Sequence, residues 1–347
     1  MKLLRCSRCV LPSTRPDSPF VDGVCPACLT YEKRPQIDWE ARKTELVQLL
    51  DRHHGRVLVP SSGGKDSTYQ VLTLLEMGAD VTIVTARTCH LTTIGRHNID
   101  NLSRYARTIE VAPNMTVRAK LNRLGLEMVG DISWPEHAAI FSTPFKVAAD
   151  TGHTLLMYGE CPQAEYGGPM GSERAKTMTL RWVTEFGGFL GLRPDDFVGI
   201  EGITERDMQD YMPSQVTTEA HFLGQYIPWD SRRNAKVAEE HGMQQVLPSP
   251  ANWWKAENLD NAQTGIHDRF MWLKYGVGRG CQQISVDVRA GNVTREHALT
   301  WVSDQDHLFP WVYAGVSATE TLDRIGVDLP TFNKIADRFT NKAIHAG

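Results

Sequence analysis

The stretch Arg56-Val-Leu-Val-Pro-Ser-Ser-Gly-Gly-Lys-Asp-Ser-Thr68 constrains this chain more than any other. Val57 to Val59 is a short apolar run of the kind that forms a buried strand. It breaks at Ser62-Gly63-Gly64-Lys65-Asp66-Ser67, and Tyr69, Leu72, Leu75 and Met77 then follow in a helical pattern up to Gly78. A strand that turns at once into a helix aims unpaired backbone N–H groups and the positive end of a helix dipole at one point. Glycines let an anion approach that backbone closely, so the stretch predicts a phosphate site. It is not the Walker loop, which needs four residues between its glycines and a Lys-Ser/Thr pair. An ordinary Gly-rich turn is the plain alternative, and six motif positions between a strand and a helix weigh against it.

Composition narrows the rest. A chain of 347 residues holds one large domain or a core with two appendages. With 41% hydrophobic and 22% charged residues it has the make-up of a soluble globular protein. A net charge of −4 gives no general drive toward nucleic acid or an anionic membrane. No run approaches a transmembrane helix in length, and Met1-Lys-Leu-Leu-Arg-Cys6 lacks the apolar core of a signal peptide, so a cytoplasmic location is expected.

Near the N-terminus, Cys6-Ser-Arg-Cys9 and Cys25-Pro-Ala-Cys28 are separated by fifteen residues. Each pair offers two thiolates to one tetrahedral ion, and the spacing is that of zinc sites. Two disulfides are the competing reading, which a cytosolic chain disfavours. Four thiolates leave no open position on the metal, so the zinc is expected to be structural.

Beyond a linker at Pro35–Asp38, Asp38 is a candidate N-cap for a helix over Trp39–Arg52. Strands are expected at Asp80–Thr85, Thr108–Val111 and Thr154–Tyr158, and helices at Gly95–Tyr105, Thr116–Val129 and Glu136–Asp150. Such alternation predicts an α/β fold with a parallel sheet covered on both faces. Ligands of such sheets sit beyond the C-terminal ends of the strands, which singles out loops 61–67, 85–94 and 159–172. The last of these carries Glu160, Glu165 and Tyr166, candidates for holding substrate or Mg²⁺ against the alternative of a solvated loop. From about Arg193 the pattern turns helical, giving three expected regions: a knuckle over 1–34, the sheet domain over 35–200 and a mostly helical part over 201–347. Within the last, His267, Asp268, Lys274 and Arg279 read together as a cluster for a polyanion such as a nucleotide sugar or ATP. Taken singly they read as surface ion-pair members. Ser317-x-x-Glu320 is a capping box for a helix ending near Gly326, and Pro330 is placed at the first position of the terminal helix.

Several of these pieces occur together in a known family. The Ser-Gly-Gly-x-Asp-Ser loop resembles that of the ATP pyrophosphatases, also called PP-loop or adenine nucleotide alpha hydrolase-like enzymes. The knuckle Arg-Cys-x-Arg-Cys-Val-Leu-Pro, Gly-Arg-His-Asn-Ile-Asp-Asn-Leu (95–102), Glu-Tyr-Gly-Gly (165–168), Gly-Ile-His-Asp, Lys-Tyr-Gly-Val-Gly-Arg and Asp-Val-Arg-Ala-Gly-Asn-Val-Thr-Arg-Glu (287–296) accompany it. From Cys6 to about Phe339 the chain resembles the N-acetyl sugar amidotransferases of surface-polysaccharide and nonulosonate biosynthesis. The resemblance implies that ATP activates an acetamido oxygen by adenylation and that ammonia then displaces AMP, leaving an acetamidino group. Ser62, Gly63, Gly64, Lys65, Asp66 and Ser67 would hold the pyrophosphate part of ATP, with Asp66 on Mg²⁺ and Lys65 beside it in the chemistry. No glutaminase arrangement is legible, so a separate glutaminase with a channel-forming partner would supply the ammonia.

The departures from the family pattern are three cysteines. Cys161 stands where the family loop has Asn, Arg87-Thr-Cys89 replaces Asp-His-Asn, and Gly278-Arg-Gly-Cys281 replaces Gly-Arg-Ala. Cysteines are commonly small buried hydrophobes. If Cys89, Cys161 and Cys281 converged, they could instead hold a [4Fe–4S] cluster with one open iron. A sulfur donor would then replace ammonia and the product would be a thioamide or thiocarbonyl. A persulfide on Cys161 alone is a simpler variant.

Overall fold

Apolar runs bounded by turns and followed by helices make the first three strands, and two more complete one parallel sheet. The structure, a computed structural model, describes residues 3–16, 18–33, 36–159, 177–178, 183, 188–212 and 218–345. In chain order the sheet domain runs from helix α2 (Trp39–Arg52, after the short α1, Pro26–Glu32) through β1 (Arg56–Pro60), α3 (Lys65–Glu76) and β2 (Asp80–Ala86). It goes on through α4 (Thr93–Leu102), β3 (Arg107–Val111), α5 (Met115–Val129), α6 (Trp134–Thr151), β4 (Leu155–Tyr158) and β5 (Glu219–Phe222). The strand order is β3-β2-β1-β4-β5 and every pairing is parallel. Leu58 lies opposite Thr82 on one side and Leu156 on the other, so β1 is the central strand. Connections leave β1 toward β3 and later return on the β4 side, which puts a topological switch point at the end of β1.

The unbroken apolar character of β1 follows from its two covered faces. Leu58 and Leu156 turn toward α5 and α6, packing with Leu121, Trp134 and Ala138. Val57, Val59, Leu155 and Met157 turn the other way, onto Leu46 and Leu49 of α2 and Leu74 of α3. Caps fall where the sequence placed them: Asp38 accepts from Ala41 N at 3.0 Å and Ser317 from Glu320 N at 3.1 Å. Pro330 departs by one position. Asp328 takes the cap, so the terminal helix opens on Leu329 with the proline behind it.

The sheet continues past residue 200. Strand β5 lies beyond it and pairs with β4 from Leu155↔Glu219 to Tyr158↔Phe222. Glu219-Ala-His-Phe222 has no apolar run; His221 is buried there because Tyr226 meets its Nδ1 at 2.7 Å. The helices that follow are α7 (Ser231–Glu240), α8 (Thr264–Tyr275), α9 (Arg279–Arg289), α10 (Arg295–Gln305), α11 (Ala318–Arg324) and α12 (Leu329–Phe339). The four knuckle cysteines share a core with Cys281, Ile284, Ala298 and Val302 of these helices and with Val277 in the turn before α9. Arg295 fastens the two together, donating to the carbonyls of Cys6 and Cys9 at 2.9–3.2 Å.

Candidate functional site

The end of β1 builds the centre of the site. Gly63 has φ +76°, and a Cβ there would lie 2.7 Å from Ile99 N and 2.8 Å from Asn98 C, so the loop closes only around a residue without a side chain. Its N–H donates to Ser61 Oγ at 3.0 Å. Gly64 is the N-cap of α3 and brings no side-chain oxygen to it, which leaves the first turn's N–H groups to an anion from outside. Ser62 Oγ overlies Gly64, and Ser67 Oγ donates to Gly64 O at 3.1 Å.

Lys65 and Asp66 open the helix. Lys65 is buried, and its ammonium donates to the carboxylates of Asp66 and Glu257 while lying 5.7 Å over the Trp254 ring. Asn234, fully buried on α7, donates to Asp66 Oδ1 at 2.9 Å. Loop 61–67 and the first turn of α3 are therefore tied to elements far along the chain, and Glu257 and Asn234 are partners that motif reading did not single out. A cleft of about 310 Å³ opens beside Lys65, lined by Arg232, Lys236, Trp253, Trp254 and Lys255 among others. Buried Asp287 organises this wall: it takes Arg232 bidentately at 2.6 and 2.7 Å and the indole N–H groups of Trp253 and Trp254 at 2.6 and 3.0 Å. Burial alone would raise the Asp287 carboxyl; Arg232 and the two indoles outweigh it and hold it below the ordinary range.

His267, Asp268 and Arg279 do come together. Arg279 Nη2 meets Asp268 Oδ1 at 2.9 Å, and His267 Nδ1 meets the same oxygen at 3.0 Å. Against its burial, Arg279 and His267 keep the Asp268 carboxyl low, so much of the positive charge expected to face a polyanion is answered internally. Lys274 turns aside to Val129 O at 3.0 Å. The cationic wall of the cleft is instead Lys65, Arg232, Lys236 and Lys255. Glu160, Cys161, Glu165 and Tyr166 lie outside the described residues.

The remaining cysteines divide. Cys6, Cys9, Cys25 and Cys28 offer sulfurs within 4.8 Å of one another, all buried and free of disulfides. The Cys9–Cys25 sulfur separation of 3.6 Å is close to the edge of about 3.8 Å expected between thiolates 2.3 Å from one zinc. Backbone N–H groups of Arg8 and Cys25 point at Cys6 Sγ at 3.4 and 3.3 Å, the pattern that steadies a charged thiolate, so the four residues fit the ion. Cys89 and Cys281 do not share a site, contrary to the convergence considered above. Cys89 packs with Leu126, Ile132, Ile266 and Phe270, whereas Cys281 packs against the knuckle with its thiol on Val10 O. Burial, with Glu136 nearby, pushes the Cys89 thiol up to about 11, and burial with Asp306 nearby pushes Cys281 well above its usual range.

One further group joins His267 to two residues that no motif announced, Asp131 and His137. Asp131 follows Gly130, whose left-handed φ of +63° ends α5, and His137 stands in the first turns of α6.

Residues 250–346 match a family model described as the C-terminal domain of WbpG-like LPS biosynthesis proteins. That span holds Trp253, Trp254, Glu257, His267, Asp268, Arg279 and Asp287. No curated protein matches the chain. Among solved structures, NMN synthetase from Francisella tularensis aligns over 61% of this chain and 99% of its own, at 11% identity and a TM-score of 0.30. A likeness of that depth carries no argument about fold or chemistry. Among the described residues no helix is long and apolar enough to cross a membrane.

Proposed function

We propose that the chain is a PP-loop ATP pyrophosphatase that adenylates the acetamido oxygen of an N-acetyl sugar, most plainly a nucleotide-linked one, and passes the activated carbon to ammonia. The observation that carries this reading is the uncapped, glycine-lined start of α3 at the switch point of a parallel sheet, with Lys65 and Asp66 in its first turn. The match of residues 250–346 to an LPS biosynthesis domain supports a sugar of surface polysaccharide as the acceptor.

In the reaction, the amide oxygen attacks the α-phosphorus of ATP and pyrophosphate leaves. Ammonia then adds to the imidate carbon, and AMP departs with the oxygen to give an acetamidino sugar. Adenylation is needed because an amide oxygen is otherwise a very poor leaving group. The α3 N–H groups, Ser62, Ser67 and Lys65 hold the departing pyrophosphate, where their charge counts most in the transition state. Asp66 and Glu257, which meet on the Lys65 ammonium, supply the carboxylate oxygens that fit Mg²⁺, and the ion would neutralise phosphate charge. Glu160, Glu165 and Tyr166 are assigned to the acceptor side. A separate glutaminase and a channel-forming partner deliver ammonia. Nitrogen is preferred to sulfur because Cys89 and Cys281 are buried in different cores, each with its thiolate form disfavoured.

Incubation with ATP, Mg²⁺, an ammonium salt and nucleotide-linked N-acetyl sugars should release AMP and pyrophosphate in equal amounts. ADP and phosphate as products would overturn the assignment.

A further inference from the structure

We propose that Asp131, His137 and His267 form a second metal centre, of the open three-ligand type, for a divalent ion such as Zn²⁺. His137 Nδ1 lies 3.1 Å from Asp131 Oδ2, and His267 Nε2 lies 3.8 Å from Asp131 Oδ1. The three ligand atoms all fall within 4.8 Å of one another, although the residues come from the turn after α5, the start of α6 and the start of α8. A separation of 3.8 Å is too long for a hydrogen bond. Nitrogen and oxygen ligands about 2.1 Å from one tetrahedral ion stand roughly 3.4 Å apart, and each imidazole lies at a separation of that order from one of the two Asp131 oxygens, His137 from Oδ2 and His267 from Oδ1.

The surroundings supply the second argument. His267 directs Nδ1 at Asp268 Oδ1, 3.0 Å away, and Arg279 fixes both oxygens of that carboxylate at 2.9–3.2 Å. A carboxylate that receives one imidazole N–H leaves the other nitrogen with its lone pair outward, which is how metal-bound histidines are oriented. Here the freed nitrogen is Nε2, the atom turned toward Asp131. Asp131 is aligned in turn, its Oδ1 accepting from Ser133 N at 2.8 Å. The His137 and His267 rings stand edge to face at 82°, with centroids 5.2 Å apart, so neither blocks the other.

Two imidazoles and a carboxylate differ from the four thiolates of the knuckle. They suit a borderline divalent ion and leave a coordination position for water or a substrate oxygen. Through Asp268 the centre is tied to Arg279 at the start of α9. The metal count does not depend on turnover, so it is decided apart from the ATP chemistry.

The full chain, saturated with zinc and freed of loose metal on a desalting column, should retain roughly two zinc ions, one for each ligand set. His267→Ala, His137→Gln and Asp131→Asn should each retain roughly one. Cooperative melting checks that these variants remain folded. Co²⁺ added to the stripped wild type reads the centre without any variant: one equivalent should show thiolate charge-transfer absorption and a second only d–d bands. One zinc in the wild type, two zincs surviving in folded variants, or a cobalt spectrum with thiolate character alone would each overturn the proposal and leave an ion-pair network.

Discussion

Asp66 and Gly63 are the residues on which the phosphate loop turns, for different reasons. Asp66 sits between the Lys65 ammonium and the Asn234 amide, so its carboxylate is placed by both neighbours. Asp66→Asn keeps nearly the same shape while removing a charged oxygen ligand. We expect ATP-to-AMP turnover to fall by roughly 100-fold or more with melting little changed; substantial turnover with unaltered Mg²⁺ dependence would defeat the role. Gly63→Ala tests the backbone instead. Its Cβ has no room beside Ile99 N, and its φ is left-handed, so stability should drop by about 1–3 kcal/mol in denaturant titration. These two were legible from the motif alone. Glu257 and Asn234 were not, because their value lies in contacts nearly two hundred residues away, which no local spacing encodes.

At the scale of elements, periodicity located the expected strands and helices to within about three residues, the largest miss being the end of α4 at Leu102 rather than Tyr105, because buried strands and amphipathic helices carry their burial in the sequence. Strand β5 escaped for the converse reason: only Ala220 and Phe222 are apolar, and the burial of His221 is made affordable by Tyr226. The cleft wall escaped as well. Asp287 lay in a recognised segment, yet its work is to fix Arg232 on α7 and the Trp253-Trp254 pair, two pieces of chain separate from its own. Asp287→Asn should cost about 1–3 kcal/mol, since it leaves a charged donor and two indoles with a weaker acceptor. It also makes a pH prediction. The folded carboxyls of Asp287 and Asp268 lie below their ordinary value of 3.8, so their contribution is complete above that pH and is lost as pH falls through the lower folded values. Melting temperature should therefore decline below about pH 4, and less steeply in Asp287→Asn. An equal slope in both proteins would remove Asp287 from the acid limb.

Across the whole molecule, the knuckle and the C-terminal helices share one core. The knuckle does not hang from the sheet domain; its cysteines share a core with the helices that follow residue 276, and Arg295 of α10 binds its carbonyls. Those helices carry Arg279 and Asp287; Arg279 holds Asp268, and Asp287 holds the two tryptophans that line the cleft proposed to take ATP. A structural zinc contributes folding free energy directly, so its loss should travel along this path. Cys25→Ser should abolish knuckle zinc, lower the melting temperature and weaken nucleotide binding, although no cysteine approaches the phosphate loop in sequence. Zinc content, melting and ATP affinity measured on one preparation decide the matter. If zinc is lost while ATP binding is unchanged, the knuckle is an independent module and the shared core is not the coupling element. If zinc stays, Cys25 is not a ligand. The expected result is a joint loss, with the sheet core still folded because β1 to β4 take their packing from α2, α3, α5 and α6 rather than from the knuckle.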